Sequence, residues 1–127
     1  MSTPSHGEPK LLLLVDDDED IREVAAAALE LVDGFRIVTA SSGLGAVQQA
    51  NEHSPDAILL DVMMPGLGGL ETVVRLKAAE RTAKIPVILL TARVDGHTPD
   101  DTVVGVIAKP FDPMSLGTDV RRLLGWV

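Results

Sequence analysis

"AILLDVMMPGLGG", residues 57–69, sets four apolar residues, Ala57 to Leu60, directly before a single acid, Asp61, and a loop carrying Pro65 and three glycines. A run so short and so wholly apolar reads as a strand buried on both faces. Asp61 is then a carboxylate delivered by a buried strand to the mouth of a loop. The same arrangement recurs along the chain. Leu11 to Val15 is an apolar run closed by Asp16, Asp17 and Asp18. Val87 to Leu90 stops at Thr91, and Val104 to Ala108 is followed at once by Lys109 and Pro110. A shorter β-prone stretch, Phe35 to Thr39, supplies one more strand.

Between these runs the apolar period changes from two to that of a helix. Ile21, Val24, Ala25, Ala28, Leu31 and Val32 mark a helix from about Asp20 to Leu31, ended by Gly34 after Asp33. Ser41 or Ser42 can cap a second helix with Leu44, Val47 and Ala50 on one face, and Pro55 closes that region. Leu70, Val73, Val74 and the stem of Lys77 mark a third helix, which ends before Pro86. Ser115 to Leu124 is a final helix with Leu116, Val120, Leu123 and Leu124 inward. Apolar strands alternating with amphipathic helices predict an α/β fold with a doubly wound, five-stranded parallel sheet. In such folds ligands bind beyond the carboxyl ends of the strands.

Composition sets the bounds. A chain of 127 residues, 46% of them apolar, suits one domain with a sizeable core. There is no Cys, hence no disulfide or thiolate metal site, which fits a cytoplasmic setting. The net charge of −8 without a basic patch argues against direct contact with nucleic acid or an anionic membrane. "LLLLV" is five residues long, far short of the roughly 20 that a membrane helix needs, so no membrane insertion is expected. Residues 1–9, polar and rich in Pro, read as a disordered lead. The domain then spans residues 10–127.

The strand ends carry the chemistry. Asp16, Asp17, Asp61, Thr91 and Lys109 converge on one edge of the sheet. Carboxylates held close repel one another and need a counter-charge. A hard divalent cation with oxygen ligands suits them, and Mg²⁺ is typically held by one or two carboxylates with waters and phosphate oxygens. With Lys109, such a site can stabilise the charge of a transferring phosphoryl group, and Asp61 is placed to accept it as an aspartyl phosphate. Taken singly, each feature has a plainer explanation: acids at a helix start, an Asp in a turn, a Lys-Pro strand stop. Other motifs are weaker. "SSGLGAVQQ" has Gln48 where a dinucleotide fingerprint needs its third glycine, so it reads as a turn and cap. His6, His53 and His97 show no ligand spacing. Met63 and Met64 read as partner-facing loop residues.

"LLLLVDDDEDIREV", "AILLDVMMPGLGGLE", "PVILLTA" and "GVIAKPFDP", in this order, resemble the receiver domain of bacterial response regulators, of the chemotaxis-receiver type, from about Lys10 to Leu124. The resemblance implies a flavodoxin-like strand order 2-1-3-4-5. It implies that Asp61 is the phospho-acceptor and that Asp16 and Asp17 bind Mg²⁺ (or Mn²⁺), Asp17 directly and Asp16 largely through water. Met63 matches the position whose backbone carbonyl is a metal ligand. Thr91 matches the hydroxyl that turns toward the phosphoryl group, and Ala92 the small residue beside it. Lys109 matches the phosphate-pairing lysine, and its bond to Pro110 is cis in the family. The implied partner is a histidine kinase or a histidine phosphotransfer protein, with a downstream protein target.

Two features depart from the family pattern. Val106 stands where an aromatic residue is usual. The stretch from Thr91 to Lys109 is a few residues short, so the helix usual between the fourth and fifth strands, the fourth helix of the family, is expected to be shortened or irregular. The resemblance implies that Met63 and Arg93 hold the positions that tune phosphoryl lifetime. Met63 cannot orient an attacking water by hydrogen bonding, and Arg93 can pair with or shield a phosphoryl oxygen, which leads to the expectation of a long-lived phosphoryl group read out through residues 93–101. With nothing after Val127 that could be an effector, a receiver standing alone is expected, either a natural single-domain regulator or a piece cut from a longer protein. The alternatives are a receiver-like interaction module in which phosphorylation is vestigial, or a Mg²⁺-dependent phosphohydrolase.

Overall fold

A computed structural model describes residues 9–92 and 103–126. Strands β1 (Leu11–Val15), β2 (Arg36–Ala40), β3 (Ala57–Asp61), β4 (Val87–Thr91) and β5 (Val103–Ala108) form one parallel sheet in the order β2-β1-β3-β4-β5. Helices α1 (Glu19–Leu31), α2 (Gly43–His53), α3 (Gly69–Ala78) and α4 (Pro113–Leu124) are those among the described residues. The expected shortening of the helix between β4 and β5 falls on residues 93–102. That segment, Arg93 within it, residues 1–8 and Val127 lie outside the described residues. Among the described residues, no helix is long and apolar enough to cross a membrane.

The sheet is buried on both faces, which explains why its strands are apolar runs rather than alternating ones. Leu13, Val15, Ile58, Leu60 and Leu89 point to one side and pack with Ala46, Ala50, Val73 and Leu76 of α2 and α3. Leu12, Leu14, Leu59, Ile88 and Leu90 point to the other and pack with Ala25, Leu29, Leu116 and Val120 of α1 and α4. All five inner positions of β3 and of β4 are buried, so the two strands that end at Asp61 and Thr91 are the centre of the molecule.

Helix α4 turns Leu116, Val120, Leu123 and Leu124 inward as the sequence suggests, but the faces of the other three differ in part. In α1 the buried residues are Ala25, Ala28 and Leu29, while Val24, Leu31 and Val32 are exposed. In α2, Leu44 is exposed and Gly43, Ala46 and Ala50 face inward. In α3, Leu70 and Val74 are exposed and Thr72, Val73 and Leu76 are buried. Close packing is the cause for α3. A Cβ on Gly69 would lie 2.6 Å from the Asp61 carbonyl oxygen and 2.6 Å from the Val62 Cα, so the helix starts pressed against the end of β3 and its small and γ-short side turns in. That helix stops at Ala78, well before Pro86, and the buried Thr82 hydroxyl donates to the Leu76 carbonyl 2.6 Å away to close its last turn. Smaller shifts occur at β2, which begins after Phe35 because the Phe35 N–H is taken by the Leu29 carbonyl, and at α4. The latter starts at Pro113, two residues before Ser115, because Asp112 accepts from Met114 N–H as the cap and Pro suits the first turn.

A half-buried ion pair joins the end of α1 to α4. The carboxylate of Asp33, just beyond α1, meets Arg121 Nη1 at 2.6 Å, and Arg121 Nη2 donates to the Asp33 carbonyl at 2.8 Å. The guanidinium also lies 4.7 Å from the Phe35 ring centroid. Gly117 makes room for this arrangement: a Cβ there would collide with the Asp33 carboxylate. Gly117→Ala is therefore expected to cost about 1–3 kcal/mol of stability in urea unfolding. In an Asp33→Ala background the same substitution should cost much less, and equal penalties in the two backgrounds would refute the contact.

Candidate functional site

The parallel register sets the site. Val15 is level with Leu60 on β3 and with Ala40 on β2, so Asp16 follows β1 at the place where Asp61 closes β3. Asp61 is level with Leu90, and Thr91 with Ala108, which puts Lys109 at the same edge. The Lys109 N–H donates to the Thr91 carbonyl at 2.8 Å, and the Lys109–Pro110 bond is cis.

Asp16 and Asp17 are neighbours in sequence with opposite surroundings. Asp16 is fully buried and Asp17 is exposed. Every polar atom of Asp16 is engaged. Its N–H donates to the Ala40 carbonyl at 3.2 Å, Oδ1 accepts from Asp18 N–H at 2.9 Å, Oδ2 accepts from Lys109 Nζ at 2.9 Å, and its carbonyl accepts from Arg22 Nη1 at 2.8 Å. Asp18 caps α1 by accepting from the N–H groups of Asp20 and Ile21, and Glu19 and Asp20 occupy its acid-favouring first turn. The run "DDDED" is thus divided: two acids face the site and three start a helix.

Asp61 is 3% exposed. Its Oδ1 accepts from Met63 N–H at 3.1 Å and its Oδ2 lies 3.5 Å from Lys109 Nζ. Burial pushes the Asp61 carboxyl up to about 6, the charge of Asp16 adds to that, Lys109 and the Met63 N–H pull it back, and Asp17 raises it a little further. For Lys109, burial alone would lower the ammonium, but the hydrogen bond and charge of Asp16, then those of Asp61, outweigh it and leave the group raised. One ammonium therefore serves two buried carboxylates and lies closer to Asp16.

The carboxylate oxygens of Asp16, Asp17 and Asp61 come within 4.8 Å of one another. They border a cavity of about 320 Å³ with Asp18, Ile21, Met63, Ala92 and Lys109. The donor set fits Mg²⁺: all hard oxygens, with Asp17 open to solvent and Asp16 already committed to Lys109 and the Asp18 N–H. Thr91 is 2% exposed at the end of β4. Val106 is half-buried and packs against the core cluster of Leu13, Leu60 and Leu89. Met63 is exposed as expected, but Met64 is buried in that same cluster and does not face a partner. Ser42 caps α2 through Gly45 N–H, in keeping with a turn rather than a dinucleotide site.

Residues 12–121 match the response regulator receiver domain. The chain belongs to that family. This receiver is 41% identical over 120 residues to the transcriptional regulatory protein CpxR homolog of Haemophilus influenzae, covering 89% of this chain and 49% of that protein. It is 38% identical over 122 residues to the phosphate regulon transcriptional regulatory protein PhoB of Pseudomonas aeruginosa, covering 91% and 52%. The receiver thus spans about half the length of these relatives. Its fold superposes on the chemotaxis response regulator CheY4 of Vibrio cholerae with a TM-score of 0.82, at 27% identity, covering 91% of this chain and 99% of that one. It superposes with a TM-score of 0.79, at 30% identity, on the receiver domain of the sensor histidine kinase PA1611 of P. aeruginosa, covering 93% and 99%; that structure has a magnesium ion coordinated in its active-site cleft. The protein is a receiver domain of two-component signalling, and the acidic cluster fits a receiver's Mg²⁺ site.

Two residues in contact with the site's backbone are not marked by the sequence motifs. Gly69, which lets α3 abut β3, had only its place in a glycine-rich loop to mark it. Arg22 lay inside a quoted motif, and its distance from the strand end, one helical turn past the Asp18 cap, is the signal that could have found it.

The folded state holds the Asp61 proton more tightly than the unfolded chain, whose ordinary value is 3.8. This group therefore favours folding most below 3.8, and that contribution is lost as pH rises through about 6. Asp61→Asn removes the charge and keeps the shape. It should stabilise the metal-free protein at about pH 8 by on the order of 2 kcal/mol, and by less at about pH 5. Denaturant titrations at the two pH values check this; a gain independent of pH would contradict it.

Proposed function

We propose that this receiver takes a phosphoryl group from a phosphohistidine of a histidine kinase or histidine phosphotransfer protein onto Asp61, and that the acyl phosphate changes its affinity for a protein target. The observation that carries this reading is the placing of Asp61 beside Asp16, Asp17 and Lys109 at the mouth of one cavity. A phosphoryl group has to be met by a nucleophile and by positive charge on its oxygens, and both are available there.

In the proposed reaction an Asp61 carboxylate oxygen attacks phosphorus in line with the P–N bond of the donor. That bond breaks, the imidazole nitrogen keeps the electron pair and takes up a proton, and a mixed carboxylic–phosphoric anhydride remains on Asp61. Lys109 moves its hydrogen bond from the carboxylates to a phosphoryl oxygen, a short displacement from its 3.5 Å separation from Asp61. Asp17 and Asp61 would hold Mg²⁺ directly, with the Met63 carbonyl, and Asp16 through water; Mn²⁺ has the same ligand preference. Bound there, the cation offsets the charge of the three carboxylates and of the transferring group. Thr91 supplies the hydroxyl that follows the phosphoryl oxygen, and Ala92 leaves it room. Val106 lacks the bulk and ring of an aromatic, so the motion of Thr91 is read out without an aromatic swing. The receiver works in the cytoplasm, and loss of the phosphoryl group by hydrolysis is self-catalysed at the same site.

The donor is a protein rather than a small phosphate ester on this reading. An apolar hollow of about 250 Å³, lined by Ile21, Val24, Pro110, Phe111 and Pro113, lies directly beside Lys109 and suits a helix-borne histidine. An interaction module with no phosphoryl chemistry would gain nothing from retaining three mutually repelling carboxylates, whose crowding disfavours the fold.

Asp61→Asn should abolish labelling by a small phosphodonor such as phosphoramidate, read by intact mass, and labelling that persists would mean another acceptor. Mg²⁺ should raise the thermal midpoint of the wild-type protein by binding the folded state. Asp17→Ala should remove that rise, and an unchanged Mg²⁺ response would defeat the assignment of Asp17.

A further inference from the structure

The end of β1 poses a problem that the acids alone do not solve. Asp16 must turn inward to Lys109 while Asp17, one residue on, must present its carboxylate to the cavity. The sheet no longer holds the chain there, because the β1–β2 ladder ends at Val15 and Ala40. The Asp16 N–H still reaches the Ala40 carbonyl, but the Asp16 carbonyl has no strand partner. A buried carbonyl without a donor is costly, and its peptide plane would otherwise be free to rotate and carry Asp17 with it.

Arg22 supplies that donor. Its Nη1 lies 2.8 Å from the Asp16 carbonyl oxygen, reaching back six residues from the first turn of α1. Among the described residues the guanidinium makes no carboxylate pair of the kind that holds Arg121 to Asp33. Arg22 also borders a polar cavity of about 280 Å³ lined by Thr39, Ser41, Ser42 and Gln49, so its guanidinium lies between polar side chains and the Asp16–Asp17 peptide. α1 is itself started by Asp18, whose N–H is held by Asp16 Oδ1. Asp16, Asp18 and Arg22 therefore form a closed loop of hydrogen bonds around the peptide that carries Asp17.

We propose that Arg22 is a positioning residue for the divalent-cation site, fixing the Asp16–Asp17 peptide so that Asp16 faces Lys109 while Asp17 faces the cation. This rests on the reading that Asp16, Asp17 and Asp61 hold Mg²⁺. Arg22 does not touch the cation; it orients a ligand and places a positive charge behind a cluster of negative ones. Residues in that relation to a metal typically change its affinity by about 10–100-fold when removed. The charge-assisted bond also explains why an arginine serves better here than a neutral donor.

The test is the Mg²⁺ dissociation constant of the intact protein, obtained from the thermal midpoint as a function of Mg²⁺, for wild type, Arg22→Ala, Arg22→Gln, Arg22→Lys and Asp17→Ala. Arg22→Ala is expected to weaken binding by roughly tenfold or more. Arg22→Lys should recover most of the loss and Arg22→Gln less. At saturating Mg²⁺, Arg22→Ala should still take up beryllofluoride to the wild-type extent, because the ligands themselves remain. An Arg22→Ala affinity within about twofold of wild type overturns the proposal, provided that Asp17→Ala has lost its response. An Asp17→Ala protein that keeps its response overturns the cation site itself, and this proposal with it. If Arg22→Ala does not fold, the comparison of Lys with Gln decides: tighter Mg²⁺ binding by Arg22→Lys supports the role, and equal affinities overturn it.

Discussion

The ammonium of Lys109, 2.9 Å from Asp16 and 3.5 Å from Asp61, is the interaction on which the rest of this structure depends. Gathering acids at the end of a sheet is electrostatically unfavourable, and the fold tolerates it by bringing one cation to two buried carboxylates. The contact spans the sheet. Asp16 leaves β1, Asp61 closes β3, and Lys109 leaves β5, with β4 between the last two. A long flexible side chain is needed to cross that gap, and the bond from Lys109 N–H to the Thr91 carbonyl fixes where it starts. Compensation is incomplete, since Asp61 remains pushed up to about 6. A site left short of positive charge is one that a divalent cation can complete.

The scaffold holds this cluster by close approach where side chains would be in the way. Gly69 admits α3 to the end of β3, within van der Waals reach of the Asp61 backbone. On the other face, Gly105 lets Leu123 of α4 lie against β5, where a Cβ would come 2.7 Å from Leu123 Cδ2. Gly117 lets Asp33 and Arg121 lock α4 to the end of α1. The aromatic residues Phe35 and Trp126 gather at that lock, with ring centroids 6.1 Å apart and Lys10 Nζ 5.0 Å above Trp126. The two helices on this face are therefore tied by charge and aromatic contact at the end away from the acids.

Much of this was legible in the amino-acid sequence. Runs such as Leu11–Val15 and Ala57–Leu60 can be stable only when both faces are covered, so the alternation with helices leads to a parallel doubly wound sheet. In that fold the residue after each strand lies on the ligand-binding edge, which is why Asp16, Asp17, Asp61, Thr91 and Lys109 could be gathered by number alone. That acids of "DDDED" can start a helix was legible too, because acids are favoured near a helix N-terminus, whereas the start of the helix at the Asp18 cap belongs to the structure.

The inward face of α4 was legible, with Leu116, Val120, Leu123 and Leu124 all on the core, but those of α1, α2 and α3 were legible only in part, for a physical reason. Apolar residues are common on the outside of proteins, so Leu31, Leu44, Leu70 and Val74 carry no mark that distinguishes them from core. Their orientation is decided by where small residues allow two elements to touch, at Gly69 and Gly117, and that is a property of the partner surface. Met64 lies in the core with Leu13, Leu60 and Leu89, a place its position in a loop does not reveal. Likewise Asp61 as an acid at a strand end belongs to the sequence, whereas its raised carboxyl belongs to the tertiary structure. Burial and the distances to Asp16, Lys109 and Met63 N–H set that value, and distance between residues far apart in the chain is what only folding decides.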